Sequence, residues 1–332
     1  MSGEEEMLHF DNSESKAKLK SELKIEKVSK AFPGVQALDK VNLNLNGGSV
    51  HALLGENGAG KSTTIKLLTT LIPPTSGSIE ILGINAIKNP LDVRKKIGVV
   101  LQQPSYEPNL SVEKSLEKYG MMWNVDKKTR KQKTEELIDV FDLQEIRKKK
   151  NEDLSIGQRR RVQVAREFMH ETDLLFLDEP TVGLDPSARR SLLDFLKNKA
   201  KTGLTIFYTT HVLTEAEYLC DEIAVINKGK ILAVDTPDQL KSTFGQEKTI
   251  KIHLLDRHDK LANILSGITG CTIDFNTGTD IIIQSSKAEI VLSQVLSILI
   301  ENNIAIEDLS AMPTTLEEIF LKMVRDTNAP NN

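Results

Sequence analysis

Residues 55–63 read GENGAGKST, and this stretch decides the fold class. An apolar run at 50–54 precedes it, and apolar side chains at positions 65, 67, 68 and 71 follow with the spacing of a helix packed on a sheet. Strand, Gly-x-x-x-x-Gly-Lys-Ser and helix in this order is the phosphate-binding P-loop in its expected context. The glycines let the loop curl so that backbone N–H groups point at phosphate oxygens, and the helix start adds its positive end. The sequence therefore predicts a site for a nucleoside triphosphate.

The polar residues of the loop have distinct predicted contributions. Lys61 brings a full positive charge to the β- and γ-phosphates, and the Ser62 hydroxyl can ligate Mg²⁺. A chance match to the pattern in 332 residues has odds on the order of one in a hundred. The predicted nucleotide-contacting residues of the loop are Gly55, Glu56, Asn57, Gly58, Ala59, Gly60, Lys61, Ser62 and Thr63.

The composition, with 39% hydrophobic and 27% charged residues, is that of a globular protein. The net charge of −4 argues against a dedicated nucleic-acid binder, so no nucleic-acid partner is expected. Cys220 and Cys271 lie far apart and form no metal-binding spacing, which predicts free thiols in a reducing compartment. No apolar segment approaches the ~20 residues that cross a bilayer, and the N-terminus carries no signal-peptide pattern. We expect a cytosolic chain, or one held at a membrane by another component.

Changes in composition and in the pattern of apolar residues along the chain predict three parts. Residues 1–20 are polar and are expected to form a disordered tail. Residues 21–245 alternate between strand and helix patterns around a helical, charge-rich block at about 104–156. Residues 246–332 follow the order β-α-β-β-α-β plus a final helix, the ferredoxin-like arrangement. The expected fold is α/β, a mixed-sheet P-loop core with a helical subdomain and a small C-terminal α+β domain.

Two basic segments of the chain leave more than one interpretation open. The basic cluster at 127–133 is expected to be a solvated helix face, with contact to anionic lipid or nucleic acid as the alternatives. The arginines at 159–161 are either solvated or paired with nearby carboxylates.

Residues 174–180, LLFLDEP, form the second decisive stretch. Four consecutive apolar residues bounded by turn formers predict a parallel strand buried on both faces. Asp178 and Glu179 then lie at its carboxyl end, where ligands bind in open α/β sheets. The strand at 205–210 ends in the same way, at His211.

Residues 154–158, LSIGQ, resemble the signature motif of ABC-family ATPases, and the resemblance spans about residues 23–244. Gln102 stands at the Q-loop position and His211 at the H-loop position. Ile156 departs from the usual glycine, at a position that varies among family members. The D-loop position is held by Gly183, Leu184 and Asp185. With the P-loop and the Asp-Glu pair, these make six motifs in the family's order, which is a highly specific match.

The resemblance implies catalytic roles for Lys61, Glu179 and His211. Glu179 is expected to polarise the attacking water, and His211 to contact the γ-phosphate and orient Glu179. Without the other motifs, His211 would be interpreted as a strand-end histidine with a structural hydrogen bond.

The same resemblance implies ATP and Mg²⁺ as cofactors. Ser62, Gln102 and Asp178 are expected to hold Mg²⁺. Phe32 is the candidate for stacking on adenine, with a turn-packing aromatic as the alternative.

The signature residues are expected to reach the ATP of a partner subunit. Ser155 and Gly157 begin a helix, whose N–H groups and dipole can grip a phosphate. In the family fold they lie too far from their own P-loop, so hydrolysis is expected to require a head-to-tail dimer with two nucleotides between the subunits. The residues assigned to this half are Leu154, Ser155, Ile156, Gly157 and Gln158.

The family implies the ATP-hydrolysing subunit of an ABC transporter that drives a separate membrane permease from the cytoplasmic face. The partner ATPase subunit is either an identical chain or a second one. Residues 159–162 (RRRV) and 315–321 (TLEEIFL) resemble daunorubicin- or multidrug-resistance-type exporter ATPases, which carry a C-terminal extension of similar size. The alternative is a soluble ABC ATPase acting on the ribosome, nucleic acid or cofactor assembly.

Overall fold

The computed structural model describes residues 21–103, 105–244, 248–258, 261–265, 267–276, 279–313 and 315–328. The predicted tail at 1–20 lies outside these ranges. The strands up to residue 244 are β1 (Ser21–Phe32), β2 (Val35–Asn46), β3 (Val50–Leu54), β4 (Ser76–Ile81), β5 (Ile84–Asn85), β6 (Ile97–Val100), β7 (Leu174–Asp178), β8 (Thr205–Thr210), β9 (Glu222–Asn227) and β10 (Lys230–Asp235). The helices are α1 (Lys61–Leu68), α2 (Pro90–Arg94), α3 (Val112–Met122), α4 (Lys127–Val140), α5 (Ile156–Glu167), α6 (Pro186–Lys201), α7 (Leu213–Leu219) and α8 (Pro237–Phe244).

A six-stranded sheet of order β10-β9-β3-β8-β7-β6 carries the nucleotide motifs. Strands β3, β7 and β8 are parallel neighbours, and every residue in them is buried. Burial on both faces explains their nearly continuous apolar runs. The predicted hairpin near residue 228 is confirmed as the antiparallel pair β9 and β10. The loops after β3, β7 and β8 therefore meet at one edge of the sheet.

Alternate residues of the central strands enter two different cores, as the pleat requires. Leu53, Phe176 and Phe207 pack with α1 and with β1, β2 and β4 of a second sheet, whose order is β2-β1-β4-β5. Ala52 and Tyr208 face the other way, into a core shared with α3, α4, α5, α6 and α7. The P-loop helix α1 thus packs against residues of both sheets.

The start of α1 differs from the prediction. The apolar pattern places the helix at 64–71, whereas it begins at Lys61 and ends at Leu68. Gly60 is the N-cap residue with φ +114°, so the backbone turns into the helix directly after it. The first helical residues are polar, and hydrophobic periodicity cannot detect such a turn.

The helical block consists of α3, α4 and two 3₁₀ turns at Gln144–Ile146 and Asn151–Asp153. The Phe195 ring of α6 makes edge contacts with two aromatic rings at the base of the block, Phe141 at a centroid distance of 4.9 Å and Phe168 at 4.8 Å. The basic cluster at 127–133 lies along α4 and is mostly exposed, as expected for a solvated face. None of the described helices is both long and apolar enough to cross a membrane.

The C-terminal part forms its own antiparallel sheet of order β12-β13-β11-β14. The first strand lies between the third and the fourth, which confirms the ferredoxin-like arrangement. The hairpin signal at 276–279 includes residues 277 and 278, which lie outside the described ranges. The elements are β11 (Lys248–Leu254), α9 (Leu261–Leu265), β12 (Thr272–Asn276), β13 (Asp280–Ser285), α10 (Ala288–Glu301), β14 (Ile306–Pro313) and α11 (Leu316–Asn328).

The last helix, α11, does not share the core of that sheet. Its apolar residues Leu316, Ile319 and Phe320 are buried in the core on the helical face of the six-stranded sheet. There α11 contacts α7 and α8. The end of the chain therefore packs on the element that directly follows the His211 loop.

Candidate active site

A cleft of about 680 Å³ at the carboxyl edge of the central sheet brings most of the predicted nucleotide residues together, and we call it the P-loop cleft. Phe32, Gln102 and Glu179 all line it, and Phe32 has 43% of its surface exposed. Gly55 and Glu56 stand back from the lining and accept hydrogen bonds from Lys61. The P-loop residues that line the cleft are Asn57, Gly58, Gly60, Lys61, Ser62 and Thr63. Ala59 is buried, with 4% of its surface exposed.

Lys61 is buried and folded onto its own loop. Its Nζ donates to the carbonyl oxygens of Gly55 at 2.7 Å and Glu56 at 3.1 Å. Burial lowers the pKa of Lys61, while the negative charges of Glu179 and Asp178 act in the opposite direction. A phosphate oxygen in the cleft would compete with the two carbonyls for this ammonium group.

Gly60 is required at the end of the loop for two reasons. Its φ of +114° lies in the region that glycine adopts without steric cost. A Cβ there would lie 2.7 Å from Leu38 Cδ2 and 3.0 Å from the Ala37 carbonyl oxygen. The loop can therefore approach β2 closely only with glycine at this position.

Asp178 and Glu179 at the end of β7 are held by Thr209 of the adjacent strand. Thr209 Oγ1 donates to Asp178 Oδ1 at 2.5 Å, and the Glu179 N–H donates to the Thr209 carbonyl at 3.1 Å. Glu179 has a left-handed backbone, φ +48°, which costs a non-glycine residue roughly 1–2 kcal/mol. Strained residues of this kind persist only where their surroundings fix them, and they cluster at functional sites.

Both oxygens of the Glu179 carboxylate have partners from other motifs. His211 Nδ1 lies 3.1 Å from Oε1, and Gln102 Nε2 donates to Oε2 at 3.2 Å. Lys61 Nζ lies 3.8 Å from Oε1. Because a carboxylate oxygen accepts, the His211 proton is on Nδ1. The structure thus joins the P-loop, Q-loop, Asp-Glu and H-loop positions on one side chain.

The predicted Mg²⁺ ligands supply oxygen atoms, the donor type that this ion prefers. Ser62 and Gln102 line the P-loop cleft, and Asp178 is close enough to Lys61 to act on its pKa. Within the described residues, no group of three or more His, Cys, Asp or Glu side chains is placed to hold a metal. One carboxylate with a hydroxyl and an amide fits Mg²⁺, which takes its remaining ligands from phosphate and water.

The signature motif lies apart from this cleft. Among the described residues that line the P-loop cleft, none belongs to 154–158. Ser155 caps α5 in a capping box, accepting from the Gln158 N–H at 3.2 Å while Gln158 Oε1 accepts from the Ser155 N–H at 3.0 Å. Leu154 anchors the motif in the core, whereas Ile156 has 68% of its surface exposed. The start of α5 therefore faces outward, and we call Ser155, Ile156 and Gly157 the signature tip.

The D-loop backs the signature tip within the same chain. A Cβ on Gly157 would lie 2.4 Å from the Gly183 carbonyl oxygen, so only glycine allows this backbone contact. Leu184 is buried beside it. Asp185 caps α6 by accepting from the Ser187 and Ala188 N–H groups at 3.0 Å each, and these bonds lower its pKa.

The three arginines after the signature motif are all bonded within the chain. Arg160 is buried and donates to the carbonyl oxygens of Leu101 and Gln102 at 2.8 Å each. Arg159 donates to the Tyr106 hydroxyl at 2.7 Å, and the nearest oxygen to Arg161 is the Asp142 carbonyl at 2.9 Å. Within the part of the chain that the structure describes, Arg161 alone of the three pairs with a carboxylate, that of Asp142 at 3.1 Å. Arg160 ties the signature helix to the backbone of the Q-loop.

Two residues of the site were not predicted from the sequence. Lys228 lines the P-loop cleft from the turn between β9 and β10, and Thr209 fixes Asp178 and Glu179. A polar residue near the end of a buried strand, as in Thr209, is the one signal that could have drawn attention to it. No pattern in the sequence around Lys228 indicates that it lines the nucleotide site.

Comparisons with known proteins place these motifs in one family. A family model described as ABC transporter matches residues 38–182. Another, described as AAA domain, putative AbiEii toxin, Type IV TA system, matches residues 153–214. Daunorubicin resistance ATP-binding protein DrrA3 of Streptomyces coeruleorubidus is 33% identical over 91% of this chain and 95% of its own length. Linearmycin resistance ATP-binding protein LnrL of Bacillus subtilis is 31% identical over 92% of this chain and 99% of its own length.

Solved structures that are similar to this chain support the same family assignment. The ATP-binding subunit of an ABC transporter has a TM-score of 0.63 and 29% identity, covering 67% of this chain and 93% of that one. A dimeric ATP-binding cassette in a post-hydrolysis state, bound to ADP and Pi, has a TM-score of 0.61 and 25% identity, covering 64% of this chain and 98% of that one. The chain therefore belongs to the ATP-binding proteins of the ABC transporter family and is an ATP-hydrolysing member of it.

Proposed function

We propose that this chain hydrolyses ATP in sites shared between two ATPase subunits and so drives export through a separate membrane permease. The observation that carries this proposal is the separation of two half-sites on one chain. The P-loop cleft gathers four motifs on Glu179, while the signature tip projects outward from α5. An exposed helix start is suited to a phosphate that another molecule supplies.

In the P-loop half, the backbone and Lys61 hold the phosphates and Phe32 stacks on adenine. Glu179 orients and polarises the attacking water, and the His211 Nδ1–H keeps its carboxylate in place. Gln102 holds the second oxygen of the same carboxylate. Ser62, Asp178 and Gln102 would hold Mg²⁺, which supplies charge neutralisation between the phosphates.

In the signature half, Ser155 and Gly157 grip the γ-phosphate of ATP bound to the partner ATPase subunit. Residues 154–158 and the D-loop at 183–185 form this surface. Two such chains, or one such chain and a related ATPase, would enclose two nucleotides head to tail.

The export role rests on the relatives. DrrA3 and LnrL are named as resistance proteins, and the relative BcrA of Bacillus licheniformis, 31% identical, as a bacitracin transport protein. No ribosomal, nucleic-acid or cofactor-assembly protein is among these names, which favours transport over the soluble alternative. We place the chain at the cytoplasmic face of the membrane, held there by a permease. We divide it into an ATPase domain at 21–245, with a helical subdomain at about 104–156, and a regulatory or docking domain at 246–332.

Capture of the partner tests this function. A Glu179→Gln variant, purified with MgATP from a detergent extract of its own cells, is expected to bring down a polytopic membrane protein at near-stoichiometric yield, identified by mass spectrometry. Lys61→Ala is the matched bait that cannot form the ATP-bound dimer. Ribosomal or DNA-associated partners without a membrane protein would overturn the transport assignment and leave the ATPase assignment standing.

A further inference from the structure

Glu215, near the start of α7, is a buried carboxylate on which three hydroxyl groups converge. It has 3% of its surface exposed. Its Oε2 accepts from Thr181 Oγ1 at 3.0 Å, from Thr210 Oγ1 at 3.2 Å and from the Tyr208 hydroxyl. Its Oε1 lies 3.3 Å from Arg189 Nε, as an ion pair whose N–H is not directed at the oxygen.

The chemistry of this cluster is that of a fixed structural anchor. A buried charge is tolerated only with several good partners, and hydrogen bonds to a carboxylate are stronger than those between neutral groups. Burial, reinforced by the Glu215 charge, raises the pKa of Tyr208 well above its usual value, so its hydroxyl keeps the proton that it donates.

The partners of Glu215 belong to the segments that carry the reaction. Thr181 comes two residues after Glu179, and Thr210 directly precedes His211. Thr210 Oγ1 also accepts from the Val212 N–H at 2.9 Å, which fixes the backbone on the other side of His211. Arg189 lies on α6, the helix that Asp185 of the D-loop caps. One carboxylate thus joins the loops after β7 and β8 to the D-loop helix.

We propose that Glu215 is a positioning residue for ATP hydrolysis, which holds the Glu179 and His211 loops in the register that their mutual contact requires. This inference rests on the catalytic roles proposed above for Glu179 and His211. Among the described residues, Glu215 makes no hydrogen bond or ion pair with either side chain, and it acts through Thr181 and Thr210. A strained backbone such as that of Glu179 needs surroundings that fix it, and a displacement of about 1 Å at a reacting group can cost on the order of 10²-fold in rate.

Two conservative variants remove parts of the cluster with little change of shape. Tyr208→Phe deletes one donor, and Glu215→Gln replaces the charge with an amide of similar size. We expect each to lower kcat for MgATP hydrolysis by about tenfold or more while KM for ATP stays within about threefold, because the P-loop is untouched. Tyr218→Phe is the matched control. Tyr218 lies on the same helix as Glu215 and also donates to a carboxylate, that of Asp194, outside the cluster. It should leave kcat within about twofold.

A second readout separates positioning from general stability. If Glu215 acts through Glu179, then Glu215→Gln added to Glu179→Gln lowers the residual hydrolysis rate no further, whereas independent losses would multiply. Folded Tyr208→Phe and Glu215→Gln proteins with the wild-type kcat would overturn the proposal, and so would multiplicative losses. If Glu215→Gln does not fold, Tyr208→Phe and Thr210→Val carry the test, the latter removing the Thr210 hydroxyl. A fully active Glu179→Gln would instead overturn the proposed function itself.

Discussion

The two halves of the nucleotide site differ in how far one chain completes them. In the P-loop half, Lys61, Asp178 and Glu179 each have less than a tenth of their surface exposed, and all bond to other residues of the same chain. In the signature half, Ser155 and Ile156 are exposed at the end of a helix. One half is therefore preorganised within a single subunit, and the exposure of the other half is what the proposed sharing of the site between two subunits requires.

The exposed half is nevertheless anchored at its far end. Glu167, the last residue of α5, is buried and accepts from the Tyr119 hydroxyl at 2.8 Å. The His170 ring that follows stacks on Trp123 with a centroid distance of 3.9 Å. The signature tip is therefore the exposed start of a helix whose other end is fixed against the helical block.

The largest expected effect concerns the reacting group of the preorganised half. Glu179→Gln should lower kcat by about 10²–10³-fold, because an amide cannot accept the proton of the attacking water. The MgATP dissociation constant should stay within about threefold, since Gln keeps the size of the side chain. Steady-state hydrolysis and equilibrium binding measure the two quantities, and Glu136→Gln, on the exposed face of α4, is the control. If the Glu179→Gln variant hydrolysed ATP at the wild-type rate, Glu179 would have no catalytic role.

The next effect tests phosphate binding in the same half. Lys61→Ala should weaken MgATP binding by about 100-fold or more, because a buried ammonium facing the phosphates is lost. Lys66→Ala is the matched control, as Lys66 lies on the same helix with its side chain exposed. Isothermal calorimetry distinguishes the two. Hydrolysis at the wild-type rate in Lys61→Ala would show that the P-loop assignment is wrong.

The buried His170, which follows the signature helix α5, predicts that the free energy of unfolding decreases at acidic pH. Burial lowers the pKa of His170 to about 4, below the value of 6.5 for an exposed histidine. As the pH falls, the imidazole of His170 is protonated in the unfolded chain before it is protonated in the folded protein. The contribution of the neutral ring to the free energy of unfolding is therefore complete above about pH 7 and is lost between about pH 6.5 and pH 4. From pH 7.5 to 5 the wild type should lose about 2 kcal/mol of unfolding free energy more than His170→Phe, which keeps an aromatic ring against Trp123. Urea unfolding at both pH values measures this, and equal losses in the two proteins would contradict it.

The smallest effect separates the signature tip from an ordinary helix start. Ser155→Ala removes the α5 cap and Ser111→Ala removes the cap of α3, and each should cost about 1 kcal/mol of stability. Only Ser155→Ala should also weaken MgATP-dependent dimerisation, because only this cap belongs to the signature half. Thermal melts and sedimentation with MgATP compare the pair. If both variants dimerised equally with MgATP, Ser155 would act only as the cap of α5 and would have no role in the shared site.

Much of this site could be predicted from the sequence because its elements are local. The P-loop, the buried strand before Asp178 and the strand before His211 are each read from neighbouring residues, and parallel pairing then places their ends at one edge. The structure brings His211 Nδ1 within 3.1 Å of Glu179 Oε1, and the catalytic role of that histidine stays a prediction.

The remaining features depend on contacts between distant residues. Arg160 reaches the Q-loop backbone, and Glu215 accepts from hydroxyls of two segments, β8 and the loop after β7. Neither partner set follows from the local pattern. The left-handed backbone of Glu179 is equally invisible, since glycine is the residue that usually signals it. The final helix was predicted correctly, but its position on α7 depends on packing that periodicity alone does not specify.

The most direct test of the shared site is the mass of Glu179→Gln in solution, measured by sedimentation with and without saturating MgATP. We expect a monomer without nucleotide and a particle of twice that mass with MgATP, because each signature tip needs the phosphate held by the other chain. Adding Lys61→Ala to this variant should abolish the change. A Glu179→Gln protein that binds MgATP and stays strictly monomeric at saturation would contradict a nucleotide site shared between two identical chains.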